Sequence, residues 1–472
     1  MSPRTRTSLS RPLVVLANRL PVSKQGALWV PSSGGLVTAL KPVTDEVGGA
    51  WVGWDGDDKD VPARVDGLDI DLVPVSLSRA EVQAYYHGFS NRTLWPLFHD
   101  LIEQPVIDRR WWRVYQEVNQ RFAEVAAGLD AGGDPLLWVQ DYHLLLLPEL
   151  LRGSRPGSPI GFFLHIPFPP PELMARLPWR EELLTGMLGA DVVGFHTERY
   201  RENFVQSVLR VFPDAATRGH RIVLPEGRRV RTSATPISID VDEFSDIAGS
   251  EETQAELAEL RTQFEGRRVL LGVDRLDYTK GVRHRFQAIE LLLERRADLR
   301  RQLAFVQIAV PSREDVKEYR ELREDVERIV GKINGRFTEP GHDVPVHYFH
   351  RGVTKPRLAA YYRLADVMLV TPLKDGMNLV AKEFVVCQDA GGESGALVLS
   401  EFTGAVLELT EAIRCNPFDV EGLSYRIEAA LELPEDDRRR RIRRMAATVR
   451  KQDVYAWVDS EVGALEKVAG RR

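Results

Sequence analysis

Short apolar runs, rich in β-branched and aromatic residues, alternate along the chain with longer stretches whose apolar positions recur at helical spacing. That alternation predicts parallel α/β units, in which the crossover between neighbouring strands is a helix. In the first half the expected strands cover 13–17, 70–75, 136–140, 160–165 and 191–195; in the second they cover 269–274, 303–310, 344–349, 366–371, 396–400 and 412–416. Near residue 240 the pattern breaks, at Pro236-Ile237-Ser238-Ile239-Asp240, before a new helical stretch begins. Residues 454–468 carry apolar positions at helical spacing and are expected to form an amphipathic helix that docks on another element. The arginine-rich run before it, 438–444, reads as a solvated helix face.

A chain of 472 residues exceeds one ordinary core, so two domains of roughly 200 residues each are expected, with a cleft between them. The expected division is 1–240, 241–452 and a final segment, 453–472, returning to the first domain. A formal net charge of −6 argues against a nucleic-acid partner, which would require a basic face. The longest apolar run, Leu144 to Leu147, is far too short for a membrane span, and residues 1–11 read as a frayed basic leader rather than a signal peptide. Only two cysteines occur, Cys387 and Cys415, each inside an apolar stretch; buried reduced thiols and a cytoplasmic protein are the expectation.

In doubly wound sheets ligands bind beyond the carboxyl ends of strands. Those ends are unusually polar here: Asn18-Arg19, Asp141-Tyr142-His143, His165, Asp274-Arg275, Ser312-Arg313 and Lys374-Asp375-Gly376. Each alone is compatible with ordinary helix capping; their joint occurrence points to a site. Gly34-Gly35 precedes a helical pattern and would let backbone amides approach a phosphate, or is a plain turn. Arg275 and Lys280, five apart on a strand-to-helix turn, could hold a diphosphate and stabilise it as it leaves. In Asp375-Gly-Met-Asn-Leu-Val-Ala-Lys-Glu383 a helix start near Leu379 would offer amides to phosphate, while Asp375 and Glu383 suit sugar hydroxyls. His165, followed by a proline-rich loop, is either structural or catalytic. Asp69-Ile-Asp71 and Asp240-Val-Asp242 imitate the Asp-x-Asp of metal-dependent sugar transferases, but their positions make metal binding unexpected. The glycine signatures of dehydrogenases and P-loop proteins do not occur.

Together the ordered blocks Ala17-Asn-Arg19, Gly34-Gly-Leu36, Trp51-Val-Gly-Trp54, Tyr85-Tyr86, Leu94-Trp-Pro96, Asp141-Tyr-His143, Phe163-Leu-His-Ile-Pro-Phe-Pro169, Asp274-Arg-Leu-Asp-Tyr-Thr-Lys-Gly281, Pro311-Ser-Arg313 and Asp375 to Glu383 resemble glycosyltransferase family 20, the trehalose-6-phosphate synthase family, over residues 13–465. The resemblance implies a GT-B fold, two Rossmann-like domains facing across a cleft. It also implies retaining transfer of glucose from a nucleotide-glucose to glucose 6-phosphate, without cofactor or metal. By the same resemblance Arg19, Tyr86 and Arg313 bind the acceptor phosphate, Asp141 its hydroxyls, and Trp95 walls that pocket. Gly34, Gly35, Arg275, Lys280 and the backbone of Leu379, Val380, Ala381 and Lys382 serve the donor diphosphate; Asp375 and His165 orient the donor glucose, and Glu383 the ribose. Arg275, Lys280, Asp375 and His165 form the catalytic set. Val353 stands at an aromatic position of the nucleobase-contacting stretch, which leaves UDP-, ADP- and GDP-glucose open. Small-molecule substrates and a homo-oligomer, dimer or tetramer, are expected; a glucosylglycerol-phosphate synthase or a non-catalytic sugar-phosphate sensor are the alternatives.

Overall fold

The computed structural model describes residues 9, 11–25, 28–32, 49–56, 61–130, 133–313 and 316–470. The chain divides into two units: Met1–Ile237 joined by Val454–Arg472, and Ser238–Asp453. The chain therefore leaves the first unit after Ile237 and re-enters it at Val454.

The first unit is built on a sheet whose strands run, in spatial order and among the described residues, Asp71–Val75, Gly49–Trp54, Leu13–Arg19, Leu136–Gln140, Ile160–Leu164, Val192–Phe195, Arg229–Ala234, Arg221–Val223 and Ala216–Arg218. The first seven are parallel, and the last two extend the sheet antiparallel. The central strands are buried on both faces and apolar except for Gln140 at the end of one, as a parallel sheet covered by helices requires. The strands Gly49–Trp54 and Arg229–Ala234 and the whole antiparallel extension were not among the expected strands. The final helix, Val454–Ala469, lies over the middle of this sheet: Trp457 packs on Trp138 (ring centroids 5.2 Å apart) and edge-on to Phe163 (5.0 Å). Gly194 makes the approach possible, because a Cβ there would stand 2.5 Å from Phe163 and 2.6 Å from the Glu461 carboxylate.

The second unit holds a six-stranded parallel sheet in the order Val346–Phe349, Leu303–Val310, Arg268–Arg275, Val367–Val370, Ala396–Ser400 and Ile413–Cys415. Its core is aliphatic and aromatic, with Leu270, Phe286, Ile289, Phe305, Val367 and Val398 fully buried. Asp240 caps the helix Val241–Gly249 through the amides of Asp242 and Glu243, which gives the second Asp-x-Asp an ordinary structural task. Cys387 and Cys415 are buried free thiols, and burial pushes Cys415 up to about 12. The arginine run lies on the helix Glu435–Lys451, where Arg439 pairs with Glu435, Arg440 with Asp437 and Arg444 with Glu411.

Both sheets are doubly wound. In the first, strand order reverses between Leu13–Arg19 and Leu136–Gln140; in the second, between Arg268–Arg275 and Val367–Val370. At such a switch point the two adjacent crossovers go to opposite faces and leave a crevice at the carboxyl ends.

Candidate functional site

At the first switch point Arg19 ends one strand and Asp141 follows its neighbour. The Arg19 guanidinium is exposed and lies 4.5 Å over the Trp54 ring and 5.4 Å from Tyr86, so two aromatic faces hold it while its donors stay available to an anion. Tyr86 comes from Val82–Leu94, a segment wound as a π-helix, a rare geometry frequent at functional sites. Its ring stacks on His143 at 5.7 Å. Trp95 is almost wholly buried, 5.7 Å from Tyr142.

Asp141 adopts φ 72°, outside the region comfortable for a residue with a Cβ. Its carboxylate accepts the His165 amide at 3.1 Å, and the His165 ring Nε2 lies 2.9 Å from Gln140 Oε1. Arg19, Tyr86, Trp95, Asp141 and His165 are thus linked through immediate neighbours in one unit. Burial, and then the adjacent His196 ring, pushes the His165 imidazole well below its ordinary value.

At the second switch point Arg275 is the exposed last residue of its strand. A short 3₁₀ turn, Tyr278–Lys280, leads to Gly281, which sits at φ +64°. Any Cβ at Gly281 would fall 2.2 Å from the Thr371 carbonyl, so this turn packs against the next strand end only with glycine. Lys280 Nζ is 2.6 Å from Asp375 Oδ2, and both side chains are largely buried. Asn378 donates to the same carboxylate oxygen at 3.1 Å and adopts φ 81°. Asp141, Asn378 and Arg313 (φ 51°) are three of the five non-glycine residues with positive φ among the described residues, a concentration of backbone strain expected where surroundings dictate conformation.

The helix Leu379–Gly391 begins where expected, but not all its first amides face a ligand. The Ala381 amide is occupied by the Asn378 side chain at 3.2 Å, which narrows the expected set toward Leu379 and Val380, both half-buried. The Lys382 side chain points into the core, fully buried and 2.7 Å from Glu408. Glu383 accepts a 2.7 Å hydrogen bond from Tyr362, and burial pushes its carboxyl up. Val353 is half-buried just before Thr354, which caps the helix Lys355–Leu364. Gly34 and Gly35 lie outside the described residues.

Arg313 stands in the second unit, not with Arg19 and Tyr86 in the first. Its side chain turns onto Asp277 (3.3 Å) and the Tyr319 hydroxyl. Asp277 and Tyr319 were not singled out from sequence, nor was Arg285, which lies buried against Asp274. For Asp277 a signal existed: an Asp two residues before a Thr commonly caps a turn.

The sequence pattern of glycosyltransferase family 20 matches residues 10–467. The chain belongs to glycosyltransferase family 20. It is 48% identical over 476 residues to the trehalose-6-phosphate synthase of Mycobacterium avium (strain 104), covering 97% of this chain and 96% of that protein. Among solved structures it is similar to an α,α-trehalose-phosphate synthase (UDP-forming) from Burkholderia vietnamiensis, with TM-score 0.89, 37% identity, and coverage of 97% and 99% of the two chains. A Burkholderia xenovorans α,α-trehalose-phosphate synthase (UDP-forming), solved in complex with glucose-6-phosphate, gives TM-score 0.88 and 35% identity over 96% and 100%. The fold is GT-B, each unit being built on a doubly wound sheet, wholly parallel in the second and mainly parallel in the first.

The strand-end residues of this family 20 chain are distinct from an open groove of about 820 Å³ on the first unit. Glu117, Glu149, Glu181 and Glu182 line that groove against Arg113, the single cation there among the described residues, an excess of negative charge that disfavours a sugar phosphate. For His165 the desolvated ring is expected to stay neutral, so its NMR resonances should not titrate between about pH 5.5 and 8. Movement through a midpoint near 6.5, about the free value, would show instead that water reaches the ring.

Proposed function

We propose that this family 20 chain is a trehalose-6-phosphate synthase, a retaining enzyme that moves glucose from a nucleotide-glucose to glucose 6-phosphate and forms α,α-trehalose 6-phosphate. The observation that carries the reading is the chemistry at the two switch points: an exposed, aromatic-clamped arginine at one, and the Arg275, Lys280 and Asp375 group at the other. The names of relatives that match it nearly end to end support the same reading. Arg19 and Tyr86, with Arg313 of the second unit, take the acceptor phosphate; Asp141 takes its hydroxyls and Trp95 walls it. Arg275 and Lys280 take the donor diphosphate, aided by Gly34, Gly35 and the start of the helix at Leu379 and Val380. Asp375 and His165 orient the glucose, Glu383 meets the ribose, and Val353 lies by the base, for which UDP is favoured by the UDP-forming relatives.

In the transfer, the bond from the anomeric carbon to the phosphate oxygen breaks while the acceptor hydroxyl bonds to that carbon on the same face. The leaving phosphate oxygen receives the hydroxyl proton. Retention without an enzyme nucleophile is supported by the occupation of the nearby carboxylates: Asp375 by Lys280, Asp274 by Arg285, Asp277 by Arg313, and Asp141 by the His165 amide. Positioning and fixed positive charge then supply the catalysis without a metal. Two inert buried thiols fit a cytoplasmic enzyme, and a dimer or tetramer is the proposed assembly. Among the described residues no helix is long and apolar enough to cross a membrane.

The test offers purified protein UDP-, ADP- and GDP-glucose with glucose 6-phosphate or glycerol 3-phosphate, and identifies products by mass and NMR. An α,α-1,1-linked disaccharide phosphate is expected. A β-linked product would overturn retention, and a preference for glycerol 3-phosphate would overturn the acceptor assignment.

A further inference from the structure

Asp277 lies between the two proposed diphosphate cations in sequence and is fully buried. Its oxygens face two ways. Oδ1 accepts from the amide (2.9 Å) and the hydroxyl (2.8 Å) of Thr279, which closes the turn that presents Lys280. Oδ2 accepts from the Tyr319 hydroxyl (2.8 Å) and from Arg313 Nη1 (3.3 Å).

Tyr319 completes a triangle. Buried at the start of the helix Lys317–Phe337, it donates its proton to Asp277 and accepts one from Arg313 Nη1, while its ring lies 5.5 Å from the guanidinium. A phenol has one proton to give and lone pairs to receive, so the three groups satisfy each other in one direction only. Burial pushes the Asp277 carboxyl up, but the charges of Arg313, Arg275 and Lys280 outweigh it and hold the group at about 2. The clamp is therefore a fixed negative charge that binds a positive one.

Arg313 needs such a clamp. A long flexible side chain loses much rotamer freedom when fixed, and its backbone sits in the left-handed region, a conformation that persists only when the surroundings dictate it.

We propose that Asp277 and Tyr319 are positioning residues that hold Arg313 ready for the acceptor phosphate, so that one buried carboxylate ties the acceptor cation to the loop carrying the donor cations. Tyr319 touches neither substrate; it acts through Arg313. The inference rests on the reading of Arg313 as an acceptor-phosphate contact.

The test separates the two. Tyr319→Phe removes the hydroxyl and leaves both the ring and the Thr279 half of Asp277 in place. Its KM for glucose 6-phosphate should rise about tenfold or more, the worth of one hydrogen bond to a charged group, while kcat falls less than about threefold and the Kd for UDP, by titration calorimetry, stays unchanged. Arg313→Ala, measured alongside, should raise the same KM by at least as much. If Arg313→Ala leaves the acceptor KM unchanged, the role of Arg313 itself is wrong. If Arg313→Ala raises it but Tyr319→Phe does not, the clamp is wrong. A Tyr319→Phe enzyme in which acceptor KM and UDP affinity deteriorate together would mark Tyr319 as merely structural and overturn the proposal.

Discussion

Lys280→Ala is expected to lower kcat by about 10²–10³-fold with the fold intact, the usual loss when one preorganised donor to a developing anion is removed. The argument has two parts. First, charge builds on the diphosphate as the bond to glucose breaks, so a fixed cation matters more in the transition state than in the bound donor. Second, Lys280 is held by Asp375 at 2.6 Å on a turn that only glycine at 281 permits, so it is already aimed before substrate arrives. Removing it also leaves the Asp375 carboxylate without its ion pair beside an anionic leaving group. Arg275→Ala should behave similarly, with a smaller stability change because that side chain is exposed. Steady-state rates together with a thermal melt decide the matter: turnover near wild type in either variant refutes the assignment of the leaving-group site.

Arg285→Met is expected to destabilise the second unit by about 3–5 kcal/mol, because it strands a buried carboxylate rather than removing a pair. Arg285 is completely buried on the helix Val282–Arg295. It donates Nη1 to Asp274 Oδ2 (2.7 Å) and to Gln307 Oε1 (2.7 Å), and Nε to Thr371 Oγ1 (3.0 Å). One guanidinium thus ties Asp274, the residue before Arg275, to the neighbouring strand and to Thr371, where the segment leading to Asp375 begins. For a unit of this size the melting temperature should fall by about 6–20 °C.

The sign of the pH dependence provides a second reading of the same variant. Burial already pushes the Asp274 carboxyl up, with Arg285 opposing; without Arg285 the folded form is raised further above its unfolded value. A group raised in this way costs nothing below its unfolded pKa and increasingly more as pH climbs, so the deficit should shrink in acid. A deficit that is constant with pH would mean lost packing rather than a stranded charge. The double variant Arg285→Met with Asp274→Asn should recover part of the loss, since no buried charge is then left alone.

The strand ends were readable from sequence because parallel α/β chains place ligand-facing polar residues immediately after apolar runs. Arg19, Asp141 and Arg275 stand at such positions in the folded chain, and Asp375 follows on the loop after the strand Val367–Val370. What escaped reading was set by side-chain direction. Lys382 was read for its backbone amide alone, and what the letters do not show is that the 100° step of the helix turns its side chain inward to Glu408. Ala381 follows a residue whose side chain captures its amide, which a motif alone does not disclose. Tyr319 meets Asp277 across 42 positions and Arg285 meets Thr371 across 86, separations that no local pattern discloses. The antiparallel strands Ala216–Arg218 and Arg221–Val223 are three residues each, too short to show a period. Gly49–Trp54 carries two glycines and two tryptophans, which hid a strand, second from the sheet's edge, behind what reads as a binding motif.

The helix Val454–Ala469 has a consequence for synthesis. It covers Trp138 and Phe163, and Trp457 reaches to 5.8 Å from the His165 ring. The sheet of the first unit therefore waits, during translation, for residues that follow the whole of the second unit before its aromatic face is covered. A nascent chain stopped short of residue 454 would carry the histidine on an uncovered, sticky surface that chaperones would have to shield.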